Sequence, residues 1–150
     1  MKLAEALMQR ADAQRKLAQL TQRLQQNAKY QEGEAPAEQP QALLNEYRQT
    51  ADELEKLVIA INLANNRIEL TNGMTMVAAL AKRERLKAEH SALISLADSA
   101  QPEQNRYSRS EIKMLASVDI KSLRKQADLL AKQHRELDML VQQANWQFDL

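Results

Sequence analysis

The sequence predicts a mainly α-helical protein, an elongated four-helix hairpin or bundle with coiled-coil-like seams and a small β-hairpin. Three observations carry that expectation. Glycine and proline number only two and three in 150 residues, and they fall in three places: Gly33, Pro36 and Pro40; Gly73; and Pro102. Glycine readily takes φ > 0, and proline lacks an N–H and clashes with the preceding turn, so these breaks cut the chain into four rods. Aromatics make up only 3% of a chain that is 44% apolar, and the balance is Ala, Leu, Gln, Glu, Lys and Arg, which lose little side-chain entropy in a helix. Apolar residues also recur at alternating steps of three and four. At this length a single domain over 1–150 is the default.

The first rod, about 3–28, carries the seam Leu3, Leu7, Arg10, Gln14, Leu17, Thr21, Leu24, Ala28, with polar faults at Arg10, Gln14 and Thr21. The second, about 40–65, is cleaner: Leu44, Tyr47, Ala51, Leu54, Val58, Ile61, Asn65 and, just beyond, Ile68. Leu43, Leu57 and Ile59 widen its apolar face, which implies more than one neighbour. Residues 1–30 hold six basic and two acidic groups, a net of +4, whereas residues 31–60 hold two basic and seven acidic groups, a net of −5. Opposite charge on consecutive rods suits an antiparallel pair, with the charges selecting orientation more than adding stability.

Between the second and third rods the period changes to two. Ile68, Leu70, Met74 and Met76 alternate with polar residues around Asn72-Gly73, the sequence of a type I′ turn, so a β-hairpin is expected over 67–76. The competing arrangement is a helix end at Gly73 followed by an N-cap at Thr75. A third short strand over 112–117, alternating through Ile112, Met114 and Ala116, would complete a ribbon that is marginal alone. The third rod, about 75–97, has the weakest seam: Ala79, Arg83, Leu86, His90, Leu93, Ala97. Asp119 is a suitable N-cap for the fourth, about 119–146, whose seam runs Ile120, Leu123, Ala127, Leu130, His134, Leu137, Val141, Ala144.

Composition excludes several classes of function. With no cysteine there are no disulfides, no thiolate catalysis and no cysteine-ligated metal. Charges nearly cancel, 21 basic against 20 acidic, which argues against a dedicated nucleic-acid or membrane-surface binder. Glu5 and Arg10 interrupt the opening before a signal-peptide core can form, and no apolar run is long enough to span a bilayer, so a cytoplasmic setting is expected. A shallow Ala/Leu core on thin rods gains from a partner surface, and the expected partner is another copy of the chain.

No catalytic motif is present. His90 and His134 occupy seam positions from which they could face each other, but neither belongs to an His-x-x-x-His or Glu-x-x-His pair, so they are weak metal candidates. Glu32 and Glu34 flank Gly33 in a connector able to bend around a cation. Arg106, Tyr107, Arg109 and Lys113 form the densest string of phosphate-contacting and stacking types, diluted by Glu103 and Glu111. Trp146, two residues before Phe148, suits docking on a neighbouring helix or subunit. No cofactor is implied.

Several of these strings are shared with a known group. Met1-Lys-Leu-Ala-Glu-Ala-Leu7 with Arg10-Ala-Asp12, Gln31-Glu-Gly-Glu34 followed by Pro36 and Glu38, Arg106-Tyr-Ser-Arg-Ser-Glu-Ile-Lys113, Gln126-Ala-Asp128, Glu136-Leu-Asp138 and Asn145-Trp146 resemble a family of small bacterial helical proteins. Many of its members carry the genome label septicolysin. The resemblance covers nearly the whole chain and implies no catalytic residues, because the family remains functionally uncharacterised. A literal cytolysin is not what the residues describe: there is no cysteine, no export signal and no alternating membrane hairpin. The expected function is self-associating interaction or scaffolding. The alternatives are an RNA- or nucleotide-associated protein using the 106–113 segment, and an enzyme whose site forms between subunits.

Overall fold

In the computed structural model, which describes residues 1–102 and 112–150, four helices follow one another: α1 (Leu3–Gln26), α2 (Pro40–Arg67), α3 (Met76–Ser99) and α4 (Ile120–Gln147). Each start has a local cause. The Lys2 N–H donates to Glu5 Oε2 at 2.7 Å, Pro40 supplies the pre-set φ of a first helical residue, Thr75 Oγ1 accepts from the Ala78 N–H at 3.3 Å, and Asp119 Oδ1 accepts from the Ser122 N–H at 3.1 Å. The chain forms two compact units, Met1–Ile68 with Gln143–Leu150, and Glu69–Gln142.

In the first unit α1 packs against α2. Lys16 Nζ lies 3.1 Å from Glu46 Oε1, while Arg23, further along α1, pairs with Glu38 just before α2. Advance along one helix matches retreat along the other, so the two are antiparallel and the basic rod faces the acidic one. The α1 seam is Leu3, Ala6, Arg10, Ala13, Leu17, Leu20, Leu24 and Asn27, all buried or half-buried. Expected seam residues Gln14, Thr21 and Ala28 are instead exposed. Turning the stripe by one residue at these points exchanges two polar side chains for Ala13 and Leu20 and leaves Arg10 as the remaining charged fault. On α2 the most buried stripe is Leu43, Thr50, Ile61, Ala64 and Ile68. Leu44, Ala51 and Val58, from the expected stripe, lie half-buried alongside.

Both ends of this unit are fastened by polar contacts. At one, the 8%-exposed Asn27 donates from Nδ2 to the Arg23 carbonyl and accepts at Oδ1 from the Glu38 N–H, each at 2.9 Å, which ties the connector to the end of α1. The Arg23 guanidinium, hydrogen-bonded to Glu38, holds that carboxyl below its ordinary value against a smaller opposing effect of burial, and Glu38 in turn raises Arg23. At the other end the two chain termini meet. Leu3 N–H donates to the Phe148 carbonyl at 3.0 Å and Leu150 N–H to the Met1 carbonyl at 2.9 Å, so Lys2 and Asp149 form an antiparallel bridge. Lys2 Nζ also reaches Asp149 Oδ2 at 3.2 Å and the Gln147 carbonyl at 3.1 Å, and Arg67 Nη2 donates to the Asp149 carbonyl at 3.1 Å.

In the second unit Arg83 Nη1 meets Asp138 Oδ1 at 2.8 Å and Arg124 Nη2 meets Asp98 Oδ1 at 3.0 Å, so α3 and α4 also run antiparallel. Their seams contain Met76, Ala79, Leu86 and Ala97 on α3, and Ala127, Leu137 and Val141 on α4, all buried.

The small β-hairpin expected over 67–76 does not form. A single bridge joins Glu69 to Thr75, with Leu70 N–H on the Met74 carbonyl at 2.8 Å and Gly73 N–H on the Leu70 carbonyl at 2.9 Å. A type I′ turn needs φ > 0 at both Asn72 and Gly73, and here only Gly73 is positive, at +82°. Asn72 Oδ1 instead accepts from the Met74 N–H at 3.0 Å, a local side-chain turn. Because α2 continues to Arg67 and Thr75 already caps α3, too little chain is left for paired strands. The third strand expected over 112–117 is likewise not a strand: Ile112, Met114 and Leu115 are 82%, 85% and 83% exposed. The 67–76 ribbon that such a strand would have extended is itself absent.

Two outcomes are expected. Asn27→Ala should lower the unfolding free energy by roughly 1–3 kcal/mol in urea titrations, because it leaves the Glu38 N–H without its acceptor. Glu38→Gln should lower Tm at neutral pH, and the deficit should close in acid. A carboxylate with a lowered folded value contributes fully above its unfolded range and loses that contribution as pH falls through the folded one.

Candidate functional site

The α3 and α4 seams interrupt their run of Leu and Ala near the middle, and a cleft opens there. Arg83 and His90 stand at α3 seam positions, and His134 stands at an α4 seam position. All three are half-buried. The result is a cleft of about 440 Å³ with Leu86, 1% exposed, and Ala131 as its apolar lining. Around it stand Arg83, Glu84, Lys87 and His90 from α3, and His134, Arg135 and Asp138 from α4.

Positive charge predominates in this lining. With both histidines neutral, three permanent cations face two carboxylates. One of those carboxylates is already engaged, because Asp138 holds Arg83, whose side chain is 24% exposed. Among the described residues Lys87 and Arg135 make no ion pair, whereas Arg85–Glu89 and Lys132–Glu136 pair along their own helices. Such a lining suits an anion and repels a cation. Among the described residues no group of three or more histidine, aspartate or glutamate side chains is placed to hold a metal.

The other candidates do not gather here. Glu32 and Glu34 are exposed in a turn closed by the Glu34 N–H on the Gln31 carbonyl at 2.9 Å, with Gly33 at φ +86°. Trp146 is 57% exposed, beside the clamped chain ends. The connector and the clamp lie at opposite ends of α1, separated by its length of roughly 36 Å at 1.5 Å per residue. Lys113 is exposed before α4, and Arg106, Tyr107 and Arg109 lie outside the described residues.

Sequence reasoning placed the two histidines on facing seams, and the structure brings them to one cleft. It passed over Lys87 and Arg135, which flank the seam by one position and look like ordinary surface charges. Antiparallel register was the available signal: once His90 is set near His134, positions 87 and 135 fall on the same rim. Sequence reasoning also missed the terminal clamp of Lys2, Arg67 and Asp149, for which no periodic pattern exists.

A polar layer in a leucine seam costs stability. Replacing both histidines, His90→Leu with His134→Leu, should raise the unfolding free energy by roughly 1–2 kcal/mol through added apolar burial, checked by thermal and urea denaturation.

Three comparisons bear on relatives. The sequence matches the model of a family of unknown function, DUF6847, over residues 10–150. The crystal structure of a functionally unknown conserved protein from Corynebacterium diphtheriae is similar along the full length. It shares 45% identity, covers 100% of this chain and 98% of its own, and superposes with a TM-score of 0.93. No curated protein matches.

Proposed function

The chain belongs to the family of unknown function DUF6847, and for this member we propose a role as a non-catalytic, cytoplasmic interaction protein that associates with a second copy of itself. One observation carries the reading: large apolar side chains lie exposed where the first unit clamps its chain ends. Met1, Ile59, Leu63 and Trp146 are exposed by 51%, 53%, 60% and 57%.

Their placement follows from the clamp. Arg67 reaches the Asp149 carbonyl, and Leu63 and Ile59 stand one and two turns before it on α2. Met1 and Gln147 each accept a clamp hydrogen bond through their carbonyls, and Trp146 immediately precedes Gln147. Tryptophan is the side chain most enriched at binding hot spots. Exposed apolar groups beside charges of both signs, Lys2, Arg67 and Asp149, fit a twofold contact in which the same patch serves both partners. A chain of formal net charge +1 adds little long-range repulsion between copies.

The single tryptophan makes the test direct. At micromolar concentration sedimentation should report a species of twice 17.1 kDa, and dilution should shift Trp146 emission to the red as the contact opens. Leu63→Asp should yield the monomer without loss of helicity. A monomer of unchanged emission across the concentration range would overturn the reading.

A further inference from the structure

We infer that the α3–α4 cleft is a binding site for a small molecule bearing a compact oxyanion, phosphate or carboxylate, and that its two histidines take part in holding that oxyanion. This site lies in the second unit, and the proposal is independent of self-association through the first.

The residues divide into three roles. Lys87 and Arg135 are permanent cations that no carboxylate neutralises among the described residues. Arg83 donates to Asp138 through Nη1 at 2.8 Å, and that pairing leaves the other guanidinium N–H groups for a ligand. His90 and His134 stand on opposing helices and line the same cleft. Among the described residues, the charged groups that line the cleft with them are Arg83, Glu84 and Lys87 on α3, and Arg135 and Asp138 on α4. Glu84 and Asp138 are the opposing charges, and three cations outnumber them.

The two histidines, one from each helix, add ring N–H donors to this lining, so an oxyanion in the cleft meets hydrogen bonds as well as an excess of positive charge. At about 440 Å³ the cleft falls within the roughly 300–1,000 Å³ range of small-molecule sites, with apolar contact from Leu86 and Ala131 for the body of the ligand.

Sulfate, a compact oxyanion of fixed charge, is the probe. Titrated into the full chain and followed by calorimetry and by the imidazole NMR signals, it should bind saturably and move both imidazole signals. His90→Ala with His134→Ala should weaken that binding about threefold, and Lys87→Ala with Arg135→Ala about tenfold. A phosphomonoester and a dicarboxylate, titrated alongside, distinguish the two oxyanion classes. No saturable sulfate binding, or imidazole signals unmoved by sulfate, would each overturn the proposal. Circular dichroism of each variant shows whether a lost affinity reflects an unfolded helix pair.

Discussion

Each helix pair is held by a seam about one side chain wide, and the rest of the structure depends on that constraint. The chain has one tryptophan, one phenylalanine and three tyrosines, so its fully buried side chains are mostly Leu, Ile, Val, Met and Ala. A two-helix contact of this kind buries one stripe per helix and leaves the flanking stripe half covered, as Leu44, Ala51 and Val58 are on α2. Apolar burial of that sort drives association but discriminates poorly between registers, since a shift of one heptad presents the same residue types again. Register has to come from groups that are unique.

Those unique groups are polar and stand mostly where seams end. Asn27 donates to the Arg23 carbonyl one turn back in α1 and accepts from the Glu38 N–H across the first connector, so it fixes residue 38 against the end of α1. The Lys2–Asp149 bridge performs the same task at the opposite end, with Arg67 adding the end of α2. Thr75 and Asp119 fix where α3 and α4 begin. Exposed ion pairs such as Lys16–Glu46 are worth little individually and bias orientation more than they stabilise.

How much of this was legible in the sequence follows from which signals are periodic. Four helices were readable from the glycine and proline positions, and the α3 and α4 seams from their steps of three and four. The α1 seam was misread at three positions because a seven-residue stripe can be drawn through Leu7 or Ala6, and composition alone does not choose between them. The hairpin was misread for a different reason. Asn72-Gly73 is the right dipeptide for a type I′ turn, but turn chemistry acts within four residues, whereas α2 and α3 are extended by whole stripes of tertiary burial. Burial of Ile61, Ala64 and Ile68 carries α2 to Arg67, the Thr75 cap starts α3, and the glycine kept its positive φ inside a turn of another type. The clamp was unreadable, since residues 2, 67 and 149 share no pattern until the fold brings them together.

The same logic explains why the α3–α4 cleft stands apart from the other polar faults. Arg10 interrupts the α1 seam alone, and a single long side chain can lead its charge out to water at little cost. On α3 and α4 the interruptions coincide: Arg83 and His90 on one helix meet His134 and Asp138 on the other, so the seam opens instead of closing around a single intruder. Leucine at these positions would continue the core, and lysine would be more easily solvated. Imidazole is short enough to stay at the seam, where its ring nitrogens remain available for hydrogen bonding. A structural fault needs neither a second histidine across the seam nor two unpaired cations on its rim, and a site for an oxyanion uses both.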